Sequence, residues 1–177
     1  MLKDFNLLAS TSRGNERPMV NELLFLLKDA LGDAEAVAKK TGVRGLVAAK
    51  TSLDPYVAVE KLRKLLNERP YEFRFALRII PIEKVVPTSL DEIKRVALEL
   101  AARIGENETF RVTVEKRLTT LHSQDIITAA AGDIKRKADM ENPDKILLIE
   151  VLGAFTGLSL VKPNEIMSVM KEKMLPD

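Results

Sequence analysis

The chemistry open to this chain is narrowed first by what it lacks: His122 is its only histidine, and it contains no cysteine. A Ser-His-Asp or Cys-His site needs an imidazole beside its nucleophile, and His122 would have to serve any such pair. A lone histidine at a helix start is read here as a solvent-facing residue, so no catalytic residue is assigned. His122 and Asp125 offer two metal ligands, short of the three or four that zinc takes, and no metal is expected. The chain has neither a Gly-x-Gly-x-x-Gly nor a Gly-x-x-x-x-Gly-Lys-Ser/Thr loop, so no nucleotide cofactor is expected either. Ser12-Arg13-Gly14-Asn15, entering a helix, could take an anion on exposed amides, or it is simply a turn.

The remaining candidates are cations. In a strand over 109–118, alternation places Arg111, Thr113, Glu115 and Arg117 on one face, with Phe110, Val112 and Val114 toward the core. Lys116 falls on the second side but near the strand end, where it can swing outward. Such a face can grip phosphates through forked hydrogen bonds, or it is a solvated face with Glu115 paired to an arginine. The helix starting at Ser123 brings free backbone amides close to His122. Its far end carries Lys135-Arg136-Lys137, which either follow a nucleic-acid backbone or complement the helix dipole. Aromatic side chains are scarce. Phe73, Phe75 and Phe110 read as buried, leaving Tyr56, Tyr71 and Phe155, so phosphate and shape recognition is expected ahead of base reading.

Two sets of elements must position these groups. In the first, the apolar run Phe5 to Ala9 reads as a strand, and a helix capped at Asn15 runs to Gly32. Strands over 34–40 and 44–50 flank Thr41-Gly42-Val43 as a hairpin, and Asp54-Pro55 starts a second helix. A strand over 73–80 would put Phe73, Phe75, Leu77 and Ile79 on one face and Arg74 and Arg78 on the other. The order is βαββαβ, a ferredoxin-like arrangement. After Pro81, residues 82–86 read as a strand extension or connector. Ser89-x-x-Glu92 is a capping box for a helix that Gly105 ends. The strand over 109–118, a helix from Ser123 to about Ala138, strands over 145–152 and 155–162, and a terminal helix from Asn164 complete an α/β (α+β) chain. The expected domains are 1–82 and 83–177.

Composition sets the outer limits. With 46% apolar residues in 177, the chain can bury one sizeable core or two small ones, and disorder is excluded. No apolar run approaches 18 residues, and Met1-Leu2-Lys3-Asp4 meets charge at once, so no membrane span or secretory leader is expected and the protein is placed in the cytoplasm. Net charge is only +2, but residues 1–80 carry 14 basic and 10 acidic side chains against 14 and 16 in the remainder, so any basic patch is local.

The segment from Phe110 to Lys162, with its strand-borne Lys116-Arg117, His122-Ser123 and Asp139-x-x-Asn142-Pro143-Asp144, resembles the core of the THUMP domain. Further up the chain, Thr11-Ser12-Arg13-Gly14-Asn15-Glu16, Phe73-Arg74 and Leu77-Arg78-Ile79-Ile80-Pro81-Ile82 are similar to stand-alone THUMP proteins related to the adaptor of tRNA cytidine acetyltransferase. The resemblance implies a ferredoxin-like domain followed by a THUMP α/β domain, binding to the acceptor stem and 3′ CCA end of tRNA, and presentation of that tRNA to a separate RNA acetyltransferase forming 4-acetylcytidine. Carried onto these residues, it places Lys116, Arg117, Arg111, His122, Ser123 and Lys162 on the RNA surface. Lys135, Arg136, Arg13, Arg74 and Arg78 complete the candidate set. The alternative is a protein-interaction or regulatory module that pairs through an exposed sheet edge and has no RNA role.

Overall fold

Alternating apolar strands and amphipathic helices assemble into two compact units, each a five-stranded sheet with its own helices. The computed structural model describes residues 2–174; Met1 and residues 175–177, which fall within the expected domain spans 1–82 and 83–177, lie outside the described residues.

The first unit contains β1 (Leu7–Ser10), α1 (Glu16–Leu24, continuing in a wider π-helical turn over Phe25–Ala30), β2 (Val37–Lys40), β3 (Leu46–Lys50), α2 (Pro55–Glu68) and β4 (Arg78–Pro81). Its strands lie antiparallel in the order β4-β1-β3-β2. Asn15 stands at the N-cap of α1 but makes no side-chain cap bond, whereas the sequence signal for α2 is realised. The Asp54 carboxylate accepts the Tyr56 and Val57 amides ahead of Pro55, and α2 turns Val59, Leu62 and Leu66 into a core shared with Leu7, Met19, Leu23, Val47 and Ile79.

A strand does not run over 73–80 as the alternation suggested. Pro70–Glu72 is a 3-10 turn, and β4 begins only at Arg78. The cause is Glu22 on α1, whose carboxylate accepts the amides of Arg74 (2.7 Å), Phe75 (3.1 Å) and Ala76 (2.9 Å). Those amides are satisfied by a side chain, and the segment needs no ladder partner. Leu77, expected in the core, is 40% exposed.

The second unit spans Glu83–Asn164. It contains β5 (Lys84–Pro87), α3 (Leu90–Ala101), β6 (Thr109–Arg117), α4 (Ser123–Ala131), β7 (Lys137–Ala138), β8 (Lys145–Leu152) and β9 (Phe155–Val161). The sheet order is β5-β9-β8-β6-β7, with β6 parallel to both β7 and β8. Ser89 Oγ accepts the Glu92 amide, as the capping box requires. Ile93, Val96 and Leu100 of α3 and Ile126 and Ala130 of α4 pack with Phe110, Leu147, Ile149, Leu158 and Leu160 of the sheet.

Two expectations for the later elements change. The helix from Ser123 ends at Ala131, not near Ala138, because Gly132-Asp133 stops it and Lys137–Ala138 peels off to pair with Thr109 and Phe110. The chain after Asn164 does not continue the second unit. Met167–Ser168 forms β10 beside β4 in the first sheet, and α5 (Val169–Lys173) follows there, with Arg63 of α2 bonded to Glu172 at 2.9 Å. A two-residue edge strand has no periodicity to read in advance.

Candidate nucleic-acid interface

Strand β6 ends because Leu118 turns into the left-handed region at φ 56°, opposite Gly153 at φ 61° in the β8–β9 turn, whose amide bonds the Arg117 carbonyl at 2.9 Å. A leucine there is strained by roughly 1–2 kcal/mol, and its side chain is 74% exposed. The chain then folds tightly back to α4. Thr119 Oγ1 accepts the Leu121 amide at 3.2 Å, and Lys116 Nζ donates to the Leu121 carbonyl at 3.0 Å. His122 occupies the N-cap position with extended backbone and no side-chain cap bond, so the first-turn amides of α4 have no partner on their own helix.

This turn lies where the parallel pair β6 and β8 ends at its carboxyl side, the usual location of ligand sites in sheets of this kind. Lys116 and His122 are exposed here and Ser123 is half-buried. The Lys116 contact with Leu121 uses one of three ammonium hydrogens and orients the side chain over the turn. A cation, an imidazole and outward-facing helix amides together can hold a phosphate group.

Arg117 makes an ion pair that the strand pattern did not indicate. Its Nη1 donates to Glu150 Oε2 at 2.5 Å, and the Glu150 side chain is only 2% exposed. The arginine neutralises a buried carboxylate on the neighbouring strand, and Glu115, its partner in the solvated-face alternative, is exposed.

The other candidates in this unit gather at the opposite end of the sheet. Strand β6 is roughly 26 Å long at about 3.3 Å per residue, so no single pocket can include both ends. Arg111 Nη1 donates to the Met140 carbonyl at 2.9 Å. The Arg136 guanidinium donates to the carbonyls of Ile104 (3.1 Å), Gly105 (3.0 Å) and Lys135 (2.8 Å), closing the end of α3. Lys135 is exposed beside it. Lys162, also exposed, follows β9 and adds to the fields of Lys145 and the Gly105 amide, which hold the Glu108 carboxyl below its ordinary range, chiefly through the Lys145 bond at 2.7 Å. Arg111 and Arg136 therefore staple the fold.

In the first unit, Arg13 is exposed on the β1–α1 loop, Arg74 is exposed on the segment held by Glu22, and Arg78 is half-buried in β4 between β1 and β10. The sequence reading names Asp139 and Asp144 within a motif but gives them no bonding role. Asp139 Oδ1 accepts the Glu141 and Asn142 amides, bonds that lower its pKa, and Asp144 Oδ2 accepts the Thr109 amide at 2.8 Å. The Asn-Pro-Asp signal thus marked the right turn, while its weight rests on the aspartates. Among the described residues no group of three or more His, Asp or Glu side chains could hold a metal, and no helix is long and apolar enough to cross a membrane.

Comparison with known proteins bears on this same region. Residues 87–161 match the THUMP domain. The chain is 25% identical over 168 residues to Uncharacterized protein MJ0421 of Methanocaldococcus jannaschii, covering 92% of this chain and 42% of that protein. It is 24% identical over 156 residues to THUMP domain-containing protein 1 of Mus musculus, covering 77% of this chain and 45% of that one. It thus spans under half the length of both relatives. The crystal structure of PH1313 from Pyrococcus horikoshii superposes with a TM-score of 0.64 at 22% identity, over 90% of this chain and 55% of that one. A 4-thiouridine synthetase solved with RNA and ATP superposes with a TM-score of 0.52 at 16% identity, over 90% and 42%. At these identities the structural likeness is one of fold.

Proposed function

We propose, from the premise that residues 87–161 form a THUMP domain, an RNA-binding module, that this chain holds the acceptor stem and 3′ CCA end of tRNA without catalysing a reaction itself. In this reading it is an adaptor with a ferredoxin-like first unit, and it presents tRNA to a separate modifying enzyme, the RNA cytidine acetyltransferase that forms 4-acetylcytidine. The observation that carries the RNA part is the convergence of Lys116, His122 and the open amides of α4 at the carboxyl ends of β6 and β8, inside the matched segment. The acetyltransferase part rests on the sequence resemblance alone. A phosphate seated between the Lys116 ammonium and the α4 amides would fix the RNA terminus by charge and shape, with no base-specific contact.

Lys116→Ala tests the site. The side chain is exposed and its one hydrogen bond among the described residues goes to a backbone carbonyl, so melting should be unchanged. The expected result is weaker tRNA binding across sequences, with the slope of log affinity against log salt shallower by about one unit. Unchanged affinity and slope would remove Lys116 from the interface.

A further inference from the structure

The first unit carries a second cationic cleft, outside the segment that matches the THUMP domain. Two loops build it: residues 11–15 between β1 and α1, and residues 41–45 between β2 and β3. Their bases are fastened backbone to backbone. The Thr11 amide donates to the Gly45 carbonyl at 2.9 Å, and the Gly45 amide donates to Glu16 Oε1 at 2.7 Å. Gly45 sits at φ 77°, and a Cβ there would fall 2.8 Å from the Thr11 carbonyl oxygen, so only glycine permits this approach. Thr41 stiffens the second loop, donating through Oγ1 to the Leu46 carbonyl at 3.0 Å and accepting the Val43 amide at 3.1 Å.

From these fixed bases Arg13, Lys40 and Arg44 project into one open cleft, lined also by Gly14, Gly42 and Val43. All three cations are exposed, and none makes an ion pair or side-chain hydrogen bond among the described residues. The single acidic lining residue is Glu16. Its carboxyl is held below its ordinary range, first by the Gly45 amide, then by its own amide and that of Gly14, with Lys40 adding a smaller effect. Even with that anion counted, positive charge is in excess. Positions 1–80, which make up most of this unit, carry 14 basic and 10 acidic residues.

Arg13 and Arg44 on the two ordered loops and Lys40 at the end of β2, none in an ion pair among the described residues, repel one another, and they gain most from an anion that spans them. We propose that this cleft binds phosphodiesters of an RNA backbone, so that RNA contacts the first unit as well as the Lys116 turn. The inference rests on the RNA-binding reading above. The cleft is open rather than enclosed, which suits a polymer passing across it better than a small trapped anion.

The test uses Arg13→Ala/Arg44→Ala in the full chain, whose two side chains make no hydrogen bond or ion pair among the described residues. We expect an unchanged melting temperature, tRNA affinity at least tenfold weaker at low salt, and a salt slope shallower by about two units, one per lost phosphate contact. Amide chemical shifts of Gly14, Gly42 and Arg44 should move when tRNA is added and stay still with millimolar inorganic phosphate. Wild-type binding that the double variant reproduces would overturn the cleft and leave the Lys116 site standing. Shifts driven by inorganic phosphate alone would make this a small-anion site and overturn the RNA assignment. Absence of tRNA binding by the wild-type chain would overturn the reading on which both sites rest.

Discussion

Arg117→Met is expected to destabilise the protein by about 3 kcal/mol, lowering its melting temperature by roughly 6–12 °C for a chain of this size. The Glu150 carboxylate is 2% exposed, and removing the guanidinium 2.5 Å from it takes away its charge partner on the adjacent strand. Methionine keeps most of the apolar stem, so the loss is electrostatic. Arg117→Met/Glu150→Met should recover much of the stability, because replacing a buried pair together leaves no orphaned charge. Thermal melts of the two single variants and the double variant form a complete cycle. A single variant that melts like the wild type would show that Glu150 is satisfied without Arg117. The sequence pattern offers Lys116 and Arg117 together for RNA; Arg117 is paired to Glu150, and Lys116 is the more exposed of the two.

Asp33→Ala should have a comparable effect on the first unit, about 2–4 kcal/mol. Asp33 is 5% exposed, and its carboxylate accepts the Thr51 hydroxyl, the Ser52 amide and hydroxyl, and the Glu35 amide. Alanine strands those donors. Burial alone would raise the Asp33 pKa, but the bonds from Ser52, Thr51 and the Ser52 and Glu35 amides outweigh it, and the net shift is downward. A carboxyl with a depressed folded pKa stabilises fully above its unfolded value of about 3.9, and this contribution is lost as pH falls through the folded value. The gap in stability between wild type and Asp33→Ala should therefore be constant from neutral pH down to about 5 and shrink in stronger acid. Denaturant melts across that range check it. A gap that widened in acid would mean that Asp33 is held protonated in the fold.

Local signals in the sequence were legible wherever a residue acts on its own neighbours. Asp54-Pro55 and Ser89-x-x-Glu92 start helices as their chemistry requires, and the alternation of Phe110, Val112 and Val114 places β6 on its helix layer. Long-range side chains hid the rest. Glu22 lies about fifty residues before the amides it takes from 74–76, and no period along 73–80 could reveal that a carboxylate replaces the strand there. Arg117 and Glu150 are separated likewise, so an arginine on an exposed-looking face proved to be half-buried in an ion pair. Gly132 was the one overlooked local cue, since it ends α4 and turns Lys137 from a helix residue into an edge strand. The candidate site was legible as a neighbourhood, with Lys116, His122 and Ser123 brought together, while Arg111, Arg136 and Lys162 lie at the far end of the sheet. Lys40 and Arg44 went unnoticed because a hairpin turn rich in glycine and cations looks like any solvated loop.

In the proposed function the chain grips the 3′ end of tRNA. The direct test is equilibrium binding of one mature tRNA and the same tRNA without its terminal CCA, each titrated at several salt concentrations. We predict tight, salt-sensitive binding to the mature form and a loss of at least tenfold on removal of CCA. Equal affinity for the two forms, or negligible binding to both, would contradict the claim.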